Sequence, residues 1–399
     1  MPTLKNYHEF EGAHWETASI RHALAYQGIT MPHNGKPLSE AMLLGISGGV
    51  VIGYFSFAYT GYDPHVALLT RNTFDPMDHI FERLGIVQTI KQTTNAEKGV
   101  KNLIEAIEEG HAPLVWADIY SLAYNGMPRD DGMWMMMPLI VYGYDGKTSC
   151  LADRARVPLE IPADALNAAR TRTKDNKSKL MTLDLPDLDK LPRAIEKGIH
   201  ACLSLYTETP PKGSKNNFGF AALNRWVDLL LKDKDKQSWA KVFPQGPTMF
   251  AGLTSAFWSI EVFGTGGGAS RGIYADFLDE ASEILGKTAL KEAAALFRAC
   301  VPAWHDLGKA LLSDDIAPFK ETRELTFKKS VLFKERGAAA TDDILAINAR
   351  LMQIKAEVAA DFPLDSAGVR ALCEQIAAQI MIVHDCEREA VTALESGLV

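Results

Sequence analysis

The sequence predicts an α+β domain over residues 1–185, followed by an all-α domain over residues 186–399. Short apolar runs of strand length alternate with helical patterns through the first half. Beyond Leu191 the strand signals end, and apolar residues recur at helical spacing. Between the two halves, residues 163–182 are polar and basic, as is typical of a segment that joins two domains.

The first helix is predicted over residues 14–28, where Gly28 has the place of a C-terminal cap. Asp145-Gly146 predicts a tight turn between two strands. The remaining strands are predicted at 46–55, 66–70, 86–90, 113–119, 133–144, 149–152 and 157–161. The remaining helices are predicted at 37–45, 76–84, 96–109, 249–263, 271–286, 288–312, 318–336, 344–358 and 369–383.

Charge and apolar patterning exclude several classes of protein. The net charge of −8 argues against a nucleic-acid partner, because there is no basic excess to neutralise phosphates. No apolar run has the length of a membrane span, and the N-terminus lacks a signal-peptide pattern, so we expect a cytoplasmic protein without a membrane partner. The apolar stripes of the last two helices fit packing within the chain or a homodimer.

The five cysteines are widely spaced and form no C-x-x-C pair. This pattern predicts reduced, buried thiols rather than disulfides or a zinc site, and no metal or other cofactor is predicted. The cysteines are Cys150, Cys202, Cys300, Cys373 and Cys386.

A polar loop at residues 118–131 lies between two predicted strands and is the first candidate site. Its carboxylates suit acid–base chemistry or the binding of a metal or an amine, and a solvated turn is the alternative. Trp134, among several methionines, adds an apolar wall that is typical of a ligand pocket. The candidate ligand-binding residues of the loop are Asp118, Tyr124, Asn125, Asp130 and Asp131.

A glycine-rich run at residues 264–268 precedes a predicted helix and is the second candidate site. The start of that helix could receive an anion, assisted by Gly266, Gly267, Ser270 and Arg271. A turn between two helices is the alternative interpretation.

Three blocks of sequence carry a resemblance to a known family. The first block is 14–28 with Leu38-Ser39-Glu40 and 45–55, the second is 139–145 with 151–153, and the third is 261–278. With these blocks the chain resembles the butirosin biosynthesis protein H family, which joins a papain-like N-terminal domain to a helical domain of unknown function. The resemblance implies acyl transfer, in which a cysteine takes an aminoacyl group from a carrier-protein thioester and passes it to an amine.

Carried over by position, the family's catalytic groups are mostly missing from this chain. Trp15 stands at the cysteine position, Met137 at the histidine position and Glu9 at the position of the oxyanion donor, whereas the acid is present as Asp153. Each of the first three replacements removes a group that cysteine chemistry needs.

The sequence therefore predicts a degenerate relative that works in natural-product or small-molecule metabolism. We expect it to bind an acyl, peptide, carrier-protein or small-molecule ligand where Trp15 meets Asp153 and the 118–131 loop. The alternative is an active enzyme that uses His14, Asp153 and the loop carboxylates instead of a cysteine. For His14, a capping role in the first helix competes with an acid–base role.

Overall fold

The computed structural model describes residues 2–127, 132–207, 214 and 216–398. These residues form two compact units, each assembled from three segments of the chain. The sheet unit comprises Met1–Leu43, Ile80–Leu191 and Lys328–Ala349, and the helical unit comprises Leu44–His79, Pro192–Phe327 and Arg350–Val399. The division at 185/186 stays a prediction, because both compact units draw on both sides of it.

The elements are named here in chain order. The strands are β1 Val50–Phe57, β2 His65–Arg71, β3 Gln88–Lys91, β4 Leu114–Asp118, β5 Met136–Tyr144, β6 Thr148–Ala152, β7 Leu159–Pro162 and β8 Leu180–Leu183. The helices of the first half are α1 Trp15–Tyr26, α2 Glu40–Ser47, α3 Pro76–Leu84, α4 Ala96–Glu108 and α5 Ala163–Arg170. Those of the second half are α6 Leu191–Thr207, α7 Gly219–Leu231, α8 Trp239–Val242, α9 Pro247–Glu261, α10 Arg271–Leu285, α11 Ala289–Leu311, α12 Ala317–Arg336, α13 Thr341–Ala360 and α14 Ser366–Leu398.

The sheet unit is built on a six-stranded sheet of order β3-β8-β4-β5-β6-β7, in which every neighbouring pair is antiparallel. The predicted turn joins β5 to β6, where the Asp145 carboxylate accepts the Lys147 and Thr148 N–H groups at 2.9 and 2.7 Å. Helix α1 packs against β5, and the Ser19 hydroxyl donates to the Pro138 carbonyl at 3.1 Å. The start of α1 is thereby held to the central part of the sheet.

The segment at 163–182 differs from its prediction as a polar linker. It contains α5 and β8, and β8 pairs with both β3 and β4 inside the sheet. The strand is only four residues long, Leu180–Leu183, and follows a run of lysines that hides its apolar pattern.

The helical unit combines an antiparallel ribbon, β1–β2, with most of the later helices. Helix α11 packs along both α10 and α14, and Phe297, Trp304 and Ile376 are completely buried. The apolar stripe of α14 is therefore used within the chain. No described helix is both long and apolar enough to cross a membrane.

Two of the cysteines correct the expectation of five reduced thiols. Cys300 of α11 and Cys386 of α14 form a disulfide, with their Cα atoms 5.7 Å apart. The two cysteines are 86 positions apart in the sequence, which gave no sign of the pairing, because only the packing of the two helices brings these positions together. Cys150, Cys202 and Cys373 are free and buried, as predicted.

Candidate functional site

The start of α1 is held by a carboxylate and by the helix's own cap. Glu40 accepts the backbone N–H groups of Ala13 and His14 at 2.8 and 2.9 Å, and the Thr17 hydroxyl at 2.8 Å. His14 is the N-cap, and its Nδ1 accepts the Glu16 N–H at 3.3 Å. This acceptor role requires an unprotonated Nδ1, so His14 is a neutral capping residue in this arrangement.

Trp15, the first residue of α1, stands where the family resemblance places a cysteine. Its side chain is buried, and the Arg154 guanidinium lies over the indole, 3.7 Å from the ring centroid. The same guanidinium lies 4.9 Å from the ring centroid of Phe333. It also donates to the Asp153 and Asn125 side chains, from Nε at 3.1 Å and from Nη2 at 2.7 Å. The nucleophile position is therefore filled by a cation–π stack.

Asp153, at the acid position, is bound within the same cluster. Its Oδ1 accepts both the backbone N–H and the Nε–H of Arg154, and its Oδ2 accepts the Tyr124 hydroxyl at 3.3 Å. Burial, reinforced by the Asp153 charge, raises the pKa of Tyr124 well above its usual range, so the phenol keeps its proton and donates. The Tyr124 ring stacks on Phe333, with the planes 10° apart.

Asp118 organises the loop that follows β4. Its Oδ1 accepts the N–H groups of Tyr120 and Met135 at 3.3 and 2.9 Å. Its Oδ2 accepts the Ser121 N–H and hydroxyl at 3.1 and 2.6 Å, and the Arg172 Nε lies 3.8 Å away. The buried carboxylate thus joins the two ends of the loop.

The other loop residues divide into three groups. Asn125 donates to the Ile119 carbonyl at 3.3 Å while it accepts from Arg154, so it belongs to the buried cluster. Trp134 is 56% exposed and does not belong to it. Asp130 and Asp131, both predicted ligand-binding residues, lie outside the described residues. Among the residues that are described, no group of three or more His, Cys, Asp or Glu side chains is placed to hold a metal ion.

A second layer of contacts reaches the loop from α12 and α13. The Gly126 carbonyl accepts the Asn348 Nδ2–H at 2.6 Å and lies 3.5 Å from the Lys329 Nζ. Lys329 also donates to the Asn348 Oδ1 at 3.1 Å, and burial lowers its pKa to about 8. Sequence reasoning missed Lys329 and Phe333, which lie about two hundred positions away along the chain. It also missed Arg154, although its place beside Asp153 was a usable signal.

The positions of the missing base and oxyanion donor carry other side chains. Met137 on β5 pairs with Ala117 on β4, and a thioether cannot serve as a base. Glu9 lies 3.6 Å from the Arg21 guanidinium, as an acceptor rather than a donor. The loss of cysteine chemistry at these two positions stays a prediction from the sequence.

In the helical unit, Arg271 has a structural place. Its side chain is fully buried, and it is paired with Glu387 through Nε and Nη2. Nη2 also donates to the Tyr206 hydroxyl and the Val51 carbonyl, and Nη1 donates to the carbonyls of Thr70 and Ala269. These contacts give the Arg271 guanidinium a structural role inside the protein, and its expected role in binding an anion stays a prediction.

Gly266 and Gly267, the other predicted anion-binding residues, have positive φ values of 70° and 90°. Gly266 is exposed and Gly267 is partly exposed, so the glycine-rich run reaches the surface. Sequence reasoning connected this run to Arg271 and overlooked Glu261 and His305, which flank it.

Two protein-family models match the chain in succession. The model described as "Butirosin biosynthesis protein H, N-terminal" matches residues 14–154, so its limits enclose Trp15, Asp153 and Arg154. The model described as "Domain of unknown function (DUF4872)" matches residues 164–324. A comparison with curated proteins gives no match.

Proposed function

Because the chain belongs to the butirosin biosynthesis protein H family, with a domain of unknown function after the N-terminal domain, we propose that it acts in natural-product or small-molecule biosynthesis. We propose further that its sheet unit is a papain-like domain whose cleft binds a ligand without cysteine catalysis. The ligand class is an acyl or peptide group, free or carried as a thioester.

The observation that carries this proposal is the Trp15–Arg154 stack. Cysteine acyl transfer needs a thiolate at the start of the helix and an imidazole that removes its proton. An indole covered by a guanidinium at 3.7 Å supplies neither a nucleophile nor room for one. Asp153, which would orient the imidazole, is bonded to the guanidinium instead.

The free cysteines do not replace the lost nucleophile. Burial raises the pKa of the Cys202 thiol to about 12 and that of Cys373 to about 11. Burial, followed by the Glu160 charge, also raises the pKa of Cys150. Since the thiolate is the reactive form, all three thiols are nearly inert at neutral pH.

The contacts also favour binding over an enzyme that uses the remaining polar groups. His14 is engaged as a helix cap, and Asp118 and Asp153 accept hydrogen bonds from neighbouring groups. A general base must reach the proton that it removes, and these three side chains are already committed to holding the fold.

An acyl thioester of N-acetylcysteamine tests the proposal by intact-mass measurement. Wild-type protein should gain no acyl mass during the time in which Trp15→Cys becomes acylated at residue 15, where the helix start and Arg154 favour a thiolate. Trp15→Phe is the matched control, because it keeps an aromatic ring under Arg154 and adds no thiol.

Binding is measured separately, by saturation-transfer NMR with the same thioester. We expect a saturable signal with wild-type protein and a weaker one with Arg154→Ala, which removes the charge over Trp15. Rapid acylation of one native cysteine would overturn the proposal, and so would the absence of any saturable signal.

A further inference from the structure

The helical unit contains a buried carboxylate that is bonded to an exposed histidine. Glu261 ends α9, and only 2% of its side chain is exposed. Its two oxygens lie 2.8 and 3.0 Å from the Nδ1 of His305, which projects from α11. His305 has 49% of its side chain exposed, so one edge of the imidazole is fixed and the other is open.

The carboxylate is also fixed from the glycine-rich run. The Gly268 N–H donates to Glu261 at 3.3 Å, and Gly267 donates to the Thr265 hydroxyl at 3.1 Å. A Cβ atom at Gly308 would lie 2.9 Å from the Glu261 Oε1, so the glycine there leaves room for the carboxylate. Glu261 is therefore held in place independently of His305.

The Cε1–Nε2 edge of the imidazole lies against the backbone of the glycine-rich run. A Cβ atom at Gly267 would lie 3.5 Å from the His305 Cε1, and one at Gly268 would lie 3.6 Å from Nε2. Gly266 beside them is exposed and carries no side chain. His305 is half exposed and Gly266 is exposed, so this part of the molecule faces solvent, and we call the surface beside Nε2, Gly266 and Gly267 the niche.

The charges at this niche favour proton transfer over anion binding. A carboxylate that accepts the Nδ1–H leaves the lone pair of the neutral ring on Nε2. The Glu261 carboxylate beside the ring repels an incoming anion. Arg271, at the end of the run, has its N–H groups engaged inside the protein and adds no free cation.

We propose that Glu261 and His305 form a proton-transfer dyad, and that the niche beside Gly266 and Gly267 takes a neutral nucleophile with an O–H or N–H group. The proton passes from that group to Nε2, and the bonding pair stays on the oxygen or nitrogen. The Nδ1–H stays bonded to Glu261, whose charge balances the new imidazolium. The site lies wholly in the helical unit and does not depend on ligand binding in the sheet unit.

The ring tautomer is the first test. NMR of the full chain with ¹⁵N-labelled histidine should show the neutral form of His305 with its proton on Nδ1. The exposed His33 serves as the internal reference. A proton on the Nε2 of His305 would overturn the proposal, because no lone pair would then face the niche.

Hydrolysis of p-nitrophenyl acetate is the second test, with water as the nucleophile. Water gives one proton to Nε2 while its oxygen attacks the ester carbonyl and the ester C–O bond breaks; Nε2 then returns the proton to the departing p-nitrophenolate, so that acetic acid and p-nitrophenol are released. We expect the hydrolysis rate of His305→Asn to fall far below that of the wild type. The asparagine amide N–H replaces the Nδ1–H that donates to Glu261, but nothing replaces the base Nε2. His33→Asn should keep the wild-type rate.

The same variants separate proton transfer from a purely structural bond. If the pair only joins α9 to α11, His305→Asn retains the wild-type rate, and that result overturns the proposal. A melting temperature close to that of wild type shows that the variant is folded. A saturable shift of the Gly266 and Gly267 amide signals with inorganic phosphate would also overturn the proposal, in favour of an anion site.

Discussion

Replacing Glu387 by glutamine is expected to destabilise the helical unit severely, because it leaves the Arg271 guanidinium buried without a counter-charge. Both side chains are completely buried, and Glu387 also accepts the Trp304 Nε1–H and the Tyr206 hydroxyl at 2.7 Å each. Breaking one partner of a buried pair costs about 3–5 kcal/mol. For a unit of this size, that corresponds to a fall in Tm of roughly 6–20 °C.

The assay is urea unfolding followed by circular dichroism at pH 7. Arg298→Ala is the control, since Arg298 pairs with Asp276 and Asp279 at the surface, where such a pair contributes at most about 1 kcal/mol. The double variant Arg271→Met with Glu387→Leu should recover most of the lost stability, because it removes both charges together. A loss below about 1 kcal/mol for Glu387→Gln would refute the reasoning.

Two further predictions concern pH. Burial lowers the pKa of His22 to about 4. The unfolded chain therefore binds more protons than the folded protein between about pH 6.5 and 4, so stability falls as the pH falls. We expect urea unfolding to show that the wild type loses about 2–3 kcal/mol more stability than His22→Gln does between pH 7 and pH 4.5. Burial lowers the pKa of Lys329 to about 8. Below pH 8 the buried lysine is charged, and this charge lowers the free energy of unfolding by its full amount. Between pH 8 and the unfolded pKa of about 10.4, the folded protein loses this proton first, so the destabilisation disappears. The wild type should therefore gain stability relative to Lys329→Met between pH 7 and 10. For His22 or for Lys329, a stability profile against pH that runs parallel in the wild type and the variant would contradict the lowered pKa of that residue.

The long helices of the second half are predictable from sequence because their apolar residues repeat over many turns. The predicted ranges 271–286, 288–312 and 318–336 match the observed α10, α11 and α12 to within two residues. The short β8 was missed because its four residues follow a run of lysines that hides their apolar pattern. Strand pairing, and not local sequence, decides that β8 lies between β3 and β4.

Only part of the candidate site is local in sequence. Trp15, Tyr124, Asn125 and Asp153 were all singled out from the sequence, and the structure brings them together around Arg154. Phe333 comes from α12, which ends in the sheet unit after most of its length in the helical unit. A contact across such a separation leaves no periodic signal in a single sequence, and the same reason hid the Cys300–Cys386 pair.

The pairing of Asp153 with Arg154 relates the expected loss of the histidine at position 137 to the replacement of the cysteine by Trp15. In a cysteine acyltransferase the acid orients an imidazole, and the imidazole activates the thiol. The resemblance places Met137 at the base position, so we propose that the buried Asp153 carboxylate takes another cation in place of an imidazole. Arg154 is that cation, and its guanidinium stacks on the Trp15 ring. Trp15, Arg154 and Asp153 therefore stabilise one another, and a Trp15→Cys variant would gain a thiol for acylation but no imidazole, because Asp153 stays paired with Arg154.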